Sequence, residues 1–167
     1  MYYCTQYQSP IGPLLLASDG KSLTGLWMEK QKYFDPPPQA EERGDLPVLL
    51  QTKEWLDRYF AKKRPAASEL PMAPEGSEFR KLIWKLLCQI PYGQVTTYGA
   101  LAQQAASALG RAQMSAQAVG GAVGHNPISI LIPCHRVVGA DGTLTGYGGG
   151  LDRKRWLLEW EGAGAFS

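Results

Sequence analysis

The sequence predicts an α+β protein in which a small mixed N-terminal domain precedes a mostly helical C-terminal domain. Two observations lead to this fold class: strand-like patterns occupy the first 28 residues, and helical apolar spacing dominates after residue 77. A proline-rich stretch separates the two patterns. We expect an N-terminal domain over residues 1–65, a linker over 66–77 and a C-terminal domain over 78–167, a division that suits a chain of 167 residues.

The charge of the chain argues against a protein that holds nucleic acid by electrostatics alone. The 17 Lys and Arg residues nearly balance the 15 Asp and Glu residues, which gives a net charge of +2. Residues 1–77 carry a net charge of −1 and residues 78–167 a net charge of +3. Proteins that neutralise many phosphates carry far more positive charge than this. We therefore expect the second half to meet any phosphates, with geometry carrying the recognition.

Cysteine content and hydropathy predict the cellular compartment. The chain has an odd set of cysteines without C-x-x-C spacing, Cys4, Cys88 and Cys134, which disfavours a disulfide framework or a four-cysteine zinc site. The N-terminus lacks a basic segment followed by an apolar one, and no run of about 18 apolar residues occurs. The sequence therefore predicts a cytoplasmic protein that binds no metal and contacts no membrane.

The N-terminal domain is expected to begin as an antiparallel meander and to continue with one helix. Strand-like runs separated by two turns predict three strands, at about residues 3–7, 14–17 and 23–28. Prolines at 36–38 then interrupt regular structure. Residues 47–61 are predicted to form an amphipathic helix that caps the sheet, because Leu49, Leu56 and Phe60 fall near one helical face.

Three successive helices are expected in the first part of the C-terminal domain. The first follows Ser77 as its N-cap and carries apolar residues at i, i+3, i+4 and i+7 spacing through residue 90. Thr97 is expected to cap a second helix over 98–109. The third, over 114–123, consists almost wholly of small residues, so the last two helices have the outline of a helix-turn-helix. Ordinary tight packing within the protein is the simpler explanation of the small residues.

The segment over residues 126–138 (NPISILIPCHRVV) carries the most informative chemistry. It predicts an apolar strand ending at Pro133, which places the Cys134 thiol at a strand end rather than in the core. A thiolate is a nucleophile, and a neighbouring imidazole can take its proton. Adjacent strand side chains point to opposite faces, so Cys134 and His135 would meet only through a bend or a bridging water. A nucleophile and a small buried hydrophobe are equally good interpretations of Cys134.

Other candidate residues also have simple structural explanations. Cys4 and Cys88 are expected to be small buried hydrophobes, one in a strand and the other in a helix. Tyr98 is expected to be a surface aromatic. Glu161 is expected to be a surface carboxylate that follows a C-terminal helix, and Asp152 would cap that helix.

Several motifs together resemble the O6-alkylguanine-DNA alkyltransferase family. They are found at residues 126–127 (NP), 132–137 (IPCHRV), 146–151 (GYGGGL), 156–158 (WLL) and 161–162 (EG). This set spans about residues 78–162 and is highly specific, and residues 9–14 (SPIGPL) are similar to the start of single-chain members. The resemblance implies a small ribonuclease-H-like N-terminal domain and a C-terminal domain with a winged helix-turn-helix.

The resemblance assigns the chemistry to five residues. By motif, Cys134 is the alkyl acceptor, His135 its water-mediated base and Glu161 the carboxylate that orients the imidazole. Asn126 ties the turn beneath the active site, and Tyr98 contacts the flipped base and helps guanine depart. The implied reaction transfers an alkyl group irreversibly from O6 of guanine in DNA, and by extension from O4 of thymine, to the protein's own cysteine. It needs no cofactor, and each molecule repairs one lesion.

The resemblance also implies how DNA is held. Base contacts are expected at Val137, Tyr147 and Gly148, the last in place of a serine found in some members. The small third helix would enter the minor groove of double-stranded DNA through Ala118 and Gly121, while the alkylated nucleotide leaves the base stack. The protein would act as a monomer.

One position departs from the family pattern. Where the family has an arginine that fills the space of the flipped base, this chain has Gln117, which can hydrogen-bond an orphaned cytosine but brings no charge. Arg111 either contacts a nearby phosphate or is a solvated turn residue. We expect weaker DNA binding with retained chemistry, and the alternative is a lesion-binding module with impaired transfer. A Cys-His hydrolase is a third and weaker interpretation, because no separate oxyanion-hole signature is visible.

Overall fold

A four-stranded sheet organises the first part of the computed structural model. Its strands β1 (Tyr3–Ser9), β2 (Gly12–Ser18) and β3 (Leu23–Met28) form the antiparallel meander that the sequence predicts. Gly12 closes the first turn with a φ of 104°, a conformation that glycine adopts without steric cost. A short strand, β4 (Glu41–Glu42), pairs in parallel with β1, so the strand order is β3-β2-β1-β4.

One helix, α1 (Pro47–Tyr59), packs on this sheet. Its buried side chains recur at helical spacing and are Val48, Leu49, Thr52, Trp55, Leu56 and Tyr59. A proline suits the first helical position, because the N–H that it lacks would have no partner within the helix. The predicted amphipathic helix is confirmed, with its end at Tyr59 rather than at residue 61.

The stretch predicted as a linker, residues 66–77, is largely built into the sheet-containing part of the chain. It includes a 3₁₀ turn at Ala67–Glu69. The Leu23 N–H donates to the Pro71 carbonyl at 2.8 Å, and the Leu23 carbonyl accepts from the Ala73 N–H at 2.9 Å. The prolines therefore mark an edge segment beside β3 rather than a free spacer.

The structure describes residues 1–164, and these fall into two compact units. The first unit contains Met1–Glu75 together with Pro127–Leu131. The second contains Gly76–Asn126 and the chain from Ile132 onward. The chain thus returns to the first unit for five residues just before the Cys-His motif.

The returning segment Pro127–Leu131 is attached to β3 by backbone hydrogen bonds. The Leu26 N–H donates to the Pro127 carbonyl at 2.8 Å, and the Ser129 N–H donates to the Leu26 carbonyl at 3.0 Å. The Ser129 hydroxyl also donates to Oε1 of Gln31 at 3.3 Å. The Pro127 carbonyl and the N–H and hydroxyl of Ser129 are thereby paired within the first unit.

Three helices form the core of the second unit: α2 (Glu78–Leu87), α3 (Tyr98–Ala108) and α4 (Ala116–Gly124). The hydroxyls of Ser77 and Thr97 each accept a hydrogen bond from a backbone N–H three residues on, which confirms both predicted N-caps. Inward-facing apolar side chains include Ile83, Trp84, Leu87, Leu101, Ala105, Val119 and Val123. The predicted α+β class and the helix-turn-helix outline of α3 and α4 are confirmed.

The C-terminal part of the second unit adds a pair of strands and a last helix. Strand β5 (Thr96–Thr97) runs parallel to β6 (Val137–Val138). Helix α5 (Leu151–Trp160) begins after Gly150, so the prediction that Asp152 caps it is wrong. Asp152 lies in the first turn, where its negative charge complements the helix dipole. In the described part of the chain, no helix combines the length and apolar character needed to cross a bilayer.

Candidate active site

Cys134 begins a short helical turn instead of ending a strand. The predicted apolar strand does not form, and Cys134–Arg136 make a 3₁₀ turn. The cause is Pro133, whose φ of −82° and ψ of 64° make an inverse γ-turn in which the Cys134 N–H donates to the Ile132 carbonyl at 2.8 Å. Cys134 is also only 6% exposed, so the expectation of a thiol outside the core is wrong.

The Asn126 side chain closes the loop that leads to Cys134. Its Nδ2 atom donates to the Ile132 carbonyl at 2.8 Å. This bond joins the two residues that flank the segment over residues 127–131. Asn126 is buried, and its side chain also hydrogen-bonds the Cys134 sulfur. One amide therefore holds both the backbone turn and the thiol.

Opposing influences act on ionisation of the Cys134 thiol. Burial raises its pKa above the ordinary value for cysteine, because the thiolate would lose its solvation. A hydrogen bond from Asn126, the positive charge of Lys154 and the nearby Tyr147 side chain all lower this pKa. Since the raised pKa leaves the thiol protonated at neutral pH, nucleophilic chemistry here requires a base.

The imidazole of His135 has the properties of that base. Its side chain is fully buried, and its Nε2 lies 2.8 Å from Oε2 of Glu161. A carboxylate can only accept, so Nε2 carries the proton and Nδ1 keeps a lone pair. Within residues 1–164, Nδ1 has no hydrogen-bond partner. Burial lowers the pKa of His135, so the imidazole is neutral at physiological pH and ready to take a proton.

Glu161 is a buried carboxylate, 2% exposed, and the expectation of a surface group is wrong. Arg136 donates from Nε to Oε1 of Glu161 at 2.7 Å and from Nη2 to Oε2 at 3.1 Å. Burial opposes ionisation, but contact with His135 and Arg136 outweighs it and holds the pKa of Glu161 well below its usual range. Arg136 is further anchored by a 2.7 Å hydrogen bond to the Ile90 carbonyl. The sequence signal for Arg136 is its place beside His135 in the IPCHRV motif.

Two tyrosines lie on the side of the site formed by α3 and the loop before α5. Tyr98 is half-buried rather than a surface aromatic, and its hydroxyl donates to the Thr145 carbonyl at 3.3 Å. Burial raises the pKa of Tyr98, and negative charge on Cys134 raises it further, so the phenol is a proton donor at neutral pH. The Tyr147 side chain acts to lower the pKa of the Cys134 thiol.

The other two expected base-contacting residues also lie in this part of the second unit. Val137 is fully buried in β6, and its N–H donates to the Cys134 carbonyl. Gly148 is half-buried in the loop before α5, one residue after Tyr147. Because the Val137 side chain is buried, only the Val137 backbone is available to contact a DNA base.

Lys154 is a buried cation that the sequence pattern does not reveal. Its side chain on α5 is fully buried, and Nζ donates to the carbonyls of Thr145 at 3.0 Å and Gly146 at 3.2 Å. Nζ also lies 5.9 Å from the centroid of the Tyr98 ring. The basic run at 153–155 suggests a solvated helix face, so only the fold shows that its middle residue points inward.

The exposed side of α4 is a second surface, distinct from the Cys134 cluster. Gln117, Ala118 and Gly121 are all exposed on it. In the described protein, a Cβ atom added at Gly120 or Gly121 would meet no atom within 4 Å apart from the backbone of its own helix and its chain neighbours. Tight internal packing therefore does not explain these glycines, and the simpler explanation is wrong on this face. Arg111 is exposed in the loop that leads into α4.

The remaining cysteines differ from expectation at one position. Cys88 is exposed at the C-terminal end of α2, so the prediction of a buried hydrophobe is wrong there, whereas Cys4 is half-buried in β1. Cys4, Cys88 and Cys134 are all free thiols. Among residues 1–164, no three His, Cys, Asp or Glu side chains are grouped closely enough to hold a metal ion.

Two family profiles match the chain. Residues 78–163 match the profile described as 6-O-methylguanine DNA methyltransferase, DNA binding domain. Residues 2–74 match the profile described as 6-O-methylguanine DNA methyltransferase, ribonuclease-like domain. Together the two profiles cover nearly the whole chain, and the gap between them falls where the first 75 residues give way to the second unit.

Individual relatives are similar over the same length. A Haemophilus influenzae protein named methylated-DNA–protein-cysteine methyltransferase is 46% identical over 159 residues, which are 95% of this chain and 86% of the relative. A protein of the same name from Methanosarcina acetivorans is 42% identical over 164 residues, 98% of this chain and 99% of the relative. The crystal structure of Mycobacterium tuberculosis OGT in complex with DNA superposes with a TM-score of 0.79 at 39% identity, covering 99% of this chain and 95% of that one.

Proposed function

Since this chain belongs to the family of 6-O-methylguanine DNA methyltransferases, we propose that it repairs DNA by transferring the alkyl group of O6-alkylguanine to its own Cys134. One observation carries the assignment of the acceptor. The buried Cys134 thiol is followed directly by a neutral imidazole, and an ionised carboxylate holds the proton of that imidazole on Nε2. This arrangement supplies a nucleophile and its base in one short turn.

Activation begins with loss of the Cys134 proton. Neighbouring side chains of a 3₁₀ turn diverge by about 120°, so thiol and imidazole do not face each other directly. A bridging water is therefore the proposed carrier of the proton from Sγ to Nδ1 of His135. The ionised Glu161 stabilises the imidazolium that forms, and Arg136 holds that carboxylate in position.

The transfer itself is a single in-line displacement. The Cys134 thiolate attacks the alkyl carbon, the S–C bond forms as the C–O6 bond breaks, and the electron pair of the broken bond passes to guanine. The Tyr98 hydroxyl is the proposed donor of the proton that neutralises the departing base. A thioether is a poor leaving group, so the alkylated protein does not turn over.

The exposed face of α4 is the proposed contact with double-stranded DNA. Reaction at O6 requires the nucleotide to leave the base stack, so this contact has to hold the duplex while the base is extruded. Ala118 and Gly121 allow a close approach in the minor groove, and Gln117 takes the space of the extruded base. Arg111 would meet a phosphate. The flipped base would be read beside Cys134, by Val137, Tyr147 and Gly148.

Three further features belong to this proposal. We include O4-alkylthymine as a second substrate, because it presents the same alkyl–oxygen bond. We propose that the protein acts as a monomer, and that it works in the reducing cytoplasm. Its three free thiols support that compartment.

A stoichiometric transfer assay tests the function. The protein is incubated with a duplex carrying O6-methylguanine, and its intact mass is measured. We expect wild type to gain one methyl group, mapped to Cys134 by peptide analysis, and Cys134→Ala to gain none. Cys4→Ser is the matched control, because Cys4 is a free thiol in β1 of the first unit, and it should react like wild type.

Two outcomes would contradict the proposal. Binding of the lesion without any methyl gain would indicate a lesion-binding module, the alternative raised by Gln117. Removal of many methyl groups per protein without modification of Cys134 would exclude the single-turnover mechanism.

A further inference from the structure

The segment that leads to Cys134 contains two successive γ-turns. The second is the inverse γ-turn at Pro133. In the first, the Leu131 N–H donates to the Ser129 carbonyl at 2.8 Å, and the central residue Ile130 has a φ of 71°. A γ-turn whose central φ is positive is the rare and strained form. The acceptor cysteine therefore follows a backbone segment that is held away from its preferred conformation.

Isoleucine is a costly residue for the centre of this turn. A left-handed φ suits glycine or asparagine, whereas a β-branched side chain crowds the backbone there. The Ile130 side chain is also buried, with 1% exposure. Strained backbone of this kind persists only where the surrounding contacts over-determine it. The turn at Ile130 therefore requires anchors in its neighbourhood.

The strained turn has an anchor before it and another after it. After it, the Asn126 side chain donates to the Ile132 carbonyl. Before it, Ser129 is 3% exposed and donates twice, from its N–H to the Leu26 carbonyl at 3.0 Å and from its hydroxyl to Oε1 of Gln31 at 3.3 Å. Strand β3 and the turn that follows it thus hold the first residue of the strained turn.

Gln31 is a buried polar side chain that is built into the turn after β3. It is 7% exposed, and its Oε1 accepts from the Met28 N–H at 2.9 Å. The Gln31 N–H donates in return to the Met28 carbonyl at 3.1 Å. These reciprocal hydrogen bonds fix the Gln31 amide in the orientation in which its oxygen can also accept from the Ser129 hydroxyl.

We propose that Gln31 is a positioning residue for alkyl transfer, which acts through Ser129 to hold the γ-turn at Ile130 and, through that turn, the Cys134 thiol. An in-line displacement requires the sulfur, the alkyl carbon and O6 to be aligned, so a small displacement of the nucleophile slows the reaction strongly. The proposal rests on the assignment of Cys134 as the acceptor. It differs from a purely structural role, which would change how much protein is active but not how fast each active molecule reacts.

The test uses two variants that remove the same hydrogen bond from opposite sides. Gln31→Met removes the acceptor and keeps the length of the side chain, and Ser129→Ala removes the donor. The double variant shows whether the two residues act through the bond that they share. Thr24→Val is the matched control, because it removes a buried hydroxyl of β3 that has no hydrogen-bond partner within residues 1–164.

Single-turnover methyl transfer is measured over a range of concentrations of O6-methylguanine duplex. We expect the rate at saturating duplex to fall about tenfold in Gln31→Met and in Ser129→Ala. The half-saturating concentration and the final yield of one methyl group per protein should stay those of wild type, because the proposed DNA contact on α4 is unchanged. The double variant should be no slower than the slower single variant, and Thr24→Val should match wild type.

A second measurement needs no DNA. Alkylation of Cys134 by iodoacetamide at fixed pH is followed by peptide mass spectrometry, so that Cys4 and Cys88 do not interfere. Because Cys134 is only 6% exposed, a loosened turn should admit the reagent more readily, and we expect alkylation on the order of threefold faster in both single variants. A faster reaction with the small reagent, together with slower methyl transfer, identifies a displaced thiol.

Unchanged saturating rates in both single variants would overturn the proposal. A lower methyl yield at an unchanged rate would also overturn it, because that is the result of a purely structural role. A wild type that transfers no methyl group would instead refute the function proposed above, while the iodoacetamide rates would still test Gln31. If Gln31→Met fails to fold, the comparison of Ser129→Ala with Thr24→Val decides the question.

Discussion

Nε2 of His135 lies 2.8 Å from Oε2 of Glu161, and this contact determines which imidazole nitrogen carries the proton. The carboxylate accepts the Nε2 hydrogen, which leaves Nδ1 as the proton acceptor. Arg136 binds both oxygens of the same carboxylate, so Glu161 remains ionised although it is buried. The basic nitrogen of the site thus depends on a residue 26 positions away in the chain.

Glu161→Gln should slow methyl transfer on the order of 10³-fold while Cys134 stays in place. The amide of the variant can donate to Nε2, which would move the imidazole proton to Nδ1 and remove the base. Single-turnover transfer to O6-methylguanine duplex measures the effect. Glu159→Gln, a change at an exposed carboxylate of the same helix, should react like wild type. Equal rates for the two variants would show that the tautomer of His135 does not matter.

Gln117→Arg should tighten binding to lesion-containing duplex roughly tenfold. The added guanidinium would supply a positive charge and hydrogen-bond donors in the space that the extruded base leaves. The family pattern has an arginine at this position. Binding is measured by fluorescence titration at fixed salt concentration. Gln51→Arg adds the same charge on the exposed side of α1 in the first unit, and it separates a local effect from a general change in net charge. Equal tightening in both variants would argue against a role for position 117 in base extrusion.

Gly121→Ala should raise the free energy of unfolding by about 1 kcal/mol, because glycine is a poor helix former and nothing in the described protein occupies the space of the new methyl group. Gly121→Leu should also fold, yet it should bind DNA more weakly by blocking a close approach to α4. Urea unfolding and DNA titration test the pair of effects. Loss of stability in Gly121→Ala would mean that the helix face is packed within the protein.

The buried amine of Lys154 should make stability depend on alkaline pH. Burial lowers its pKa from an ordinary 10.5 to about 8, so between these values the unfolded chain holds more protons than the folded one. The free energy of unfolding should therefore rise with pH in this window, by up to about 3 kcal/mol relative to Lys154→Met. Urea unfolding at pH 7.5 and pH 10 tests this difference. A constant difference between wild type and variant would contradict a buried ammonium.

Sequence reasoning succeeds where two independent local signals coincide. Ser77 and Thr97 each precede a helical apolar pattern, and both serve as N-caps. The IPCHRV motif is a local signal too, and it marks Cys134 and His135 as candidates without any knowledge of their contacts. These signals are local, so the surrounding fold does not have to be known.

The errors arise where tertiary structure overrides a local pattern. The apolar run before Cys134 suggests a strand, but it turns instead, and Ile130 adopts a left-handed φ of 71° that is rare for a β-branched residue. Glu161 and Lys154 resemble surface residues of a helix, yet both are buried, Glu161 against the charged Arg136 and Lys154 against the Thr145 carbonyl. The periodicity of apolar residues in a sequence does not identify the hydrogen-bond partners that buried charged side chains find in the fold.

The five residues Pro127–Leu131, which complete the edge beside β3, have a consequence for how this protein is made. During synthesis, the first unit cannot be finished until the ribosome has passed Leu131, and Cys134 is added three residues later. A product truncated after residue 75 would leave the backbone N–H and carbonyl of Leu26 in β3 without their partners. A fragment starting at residue 76 would expose the apolar side chains of Ile128 and Ile130, which are otherwise buried. The first unit therefore cannot be produced intact without helices α2, α3 and α4 of the second, because the chain passes through these helices before it reaches Pro127.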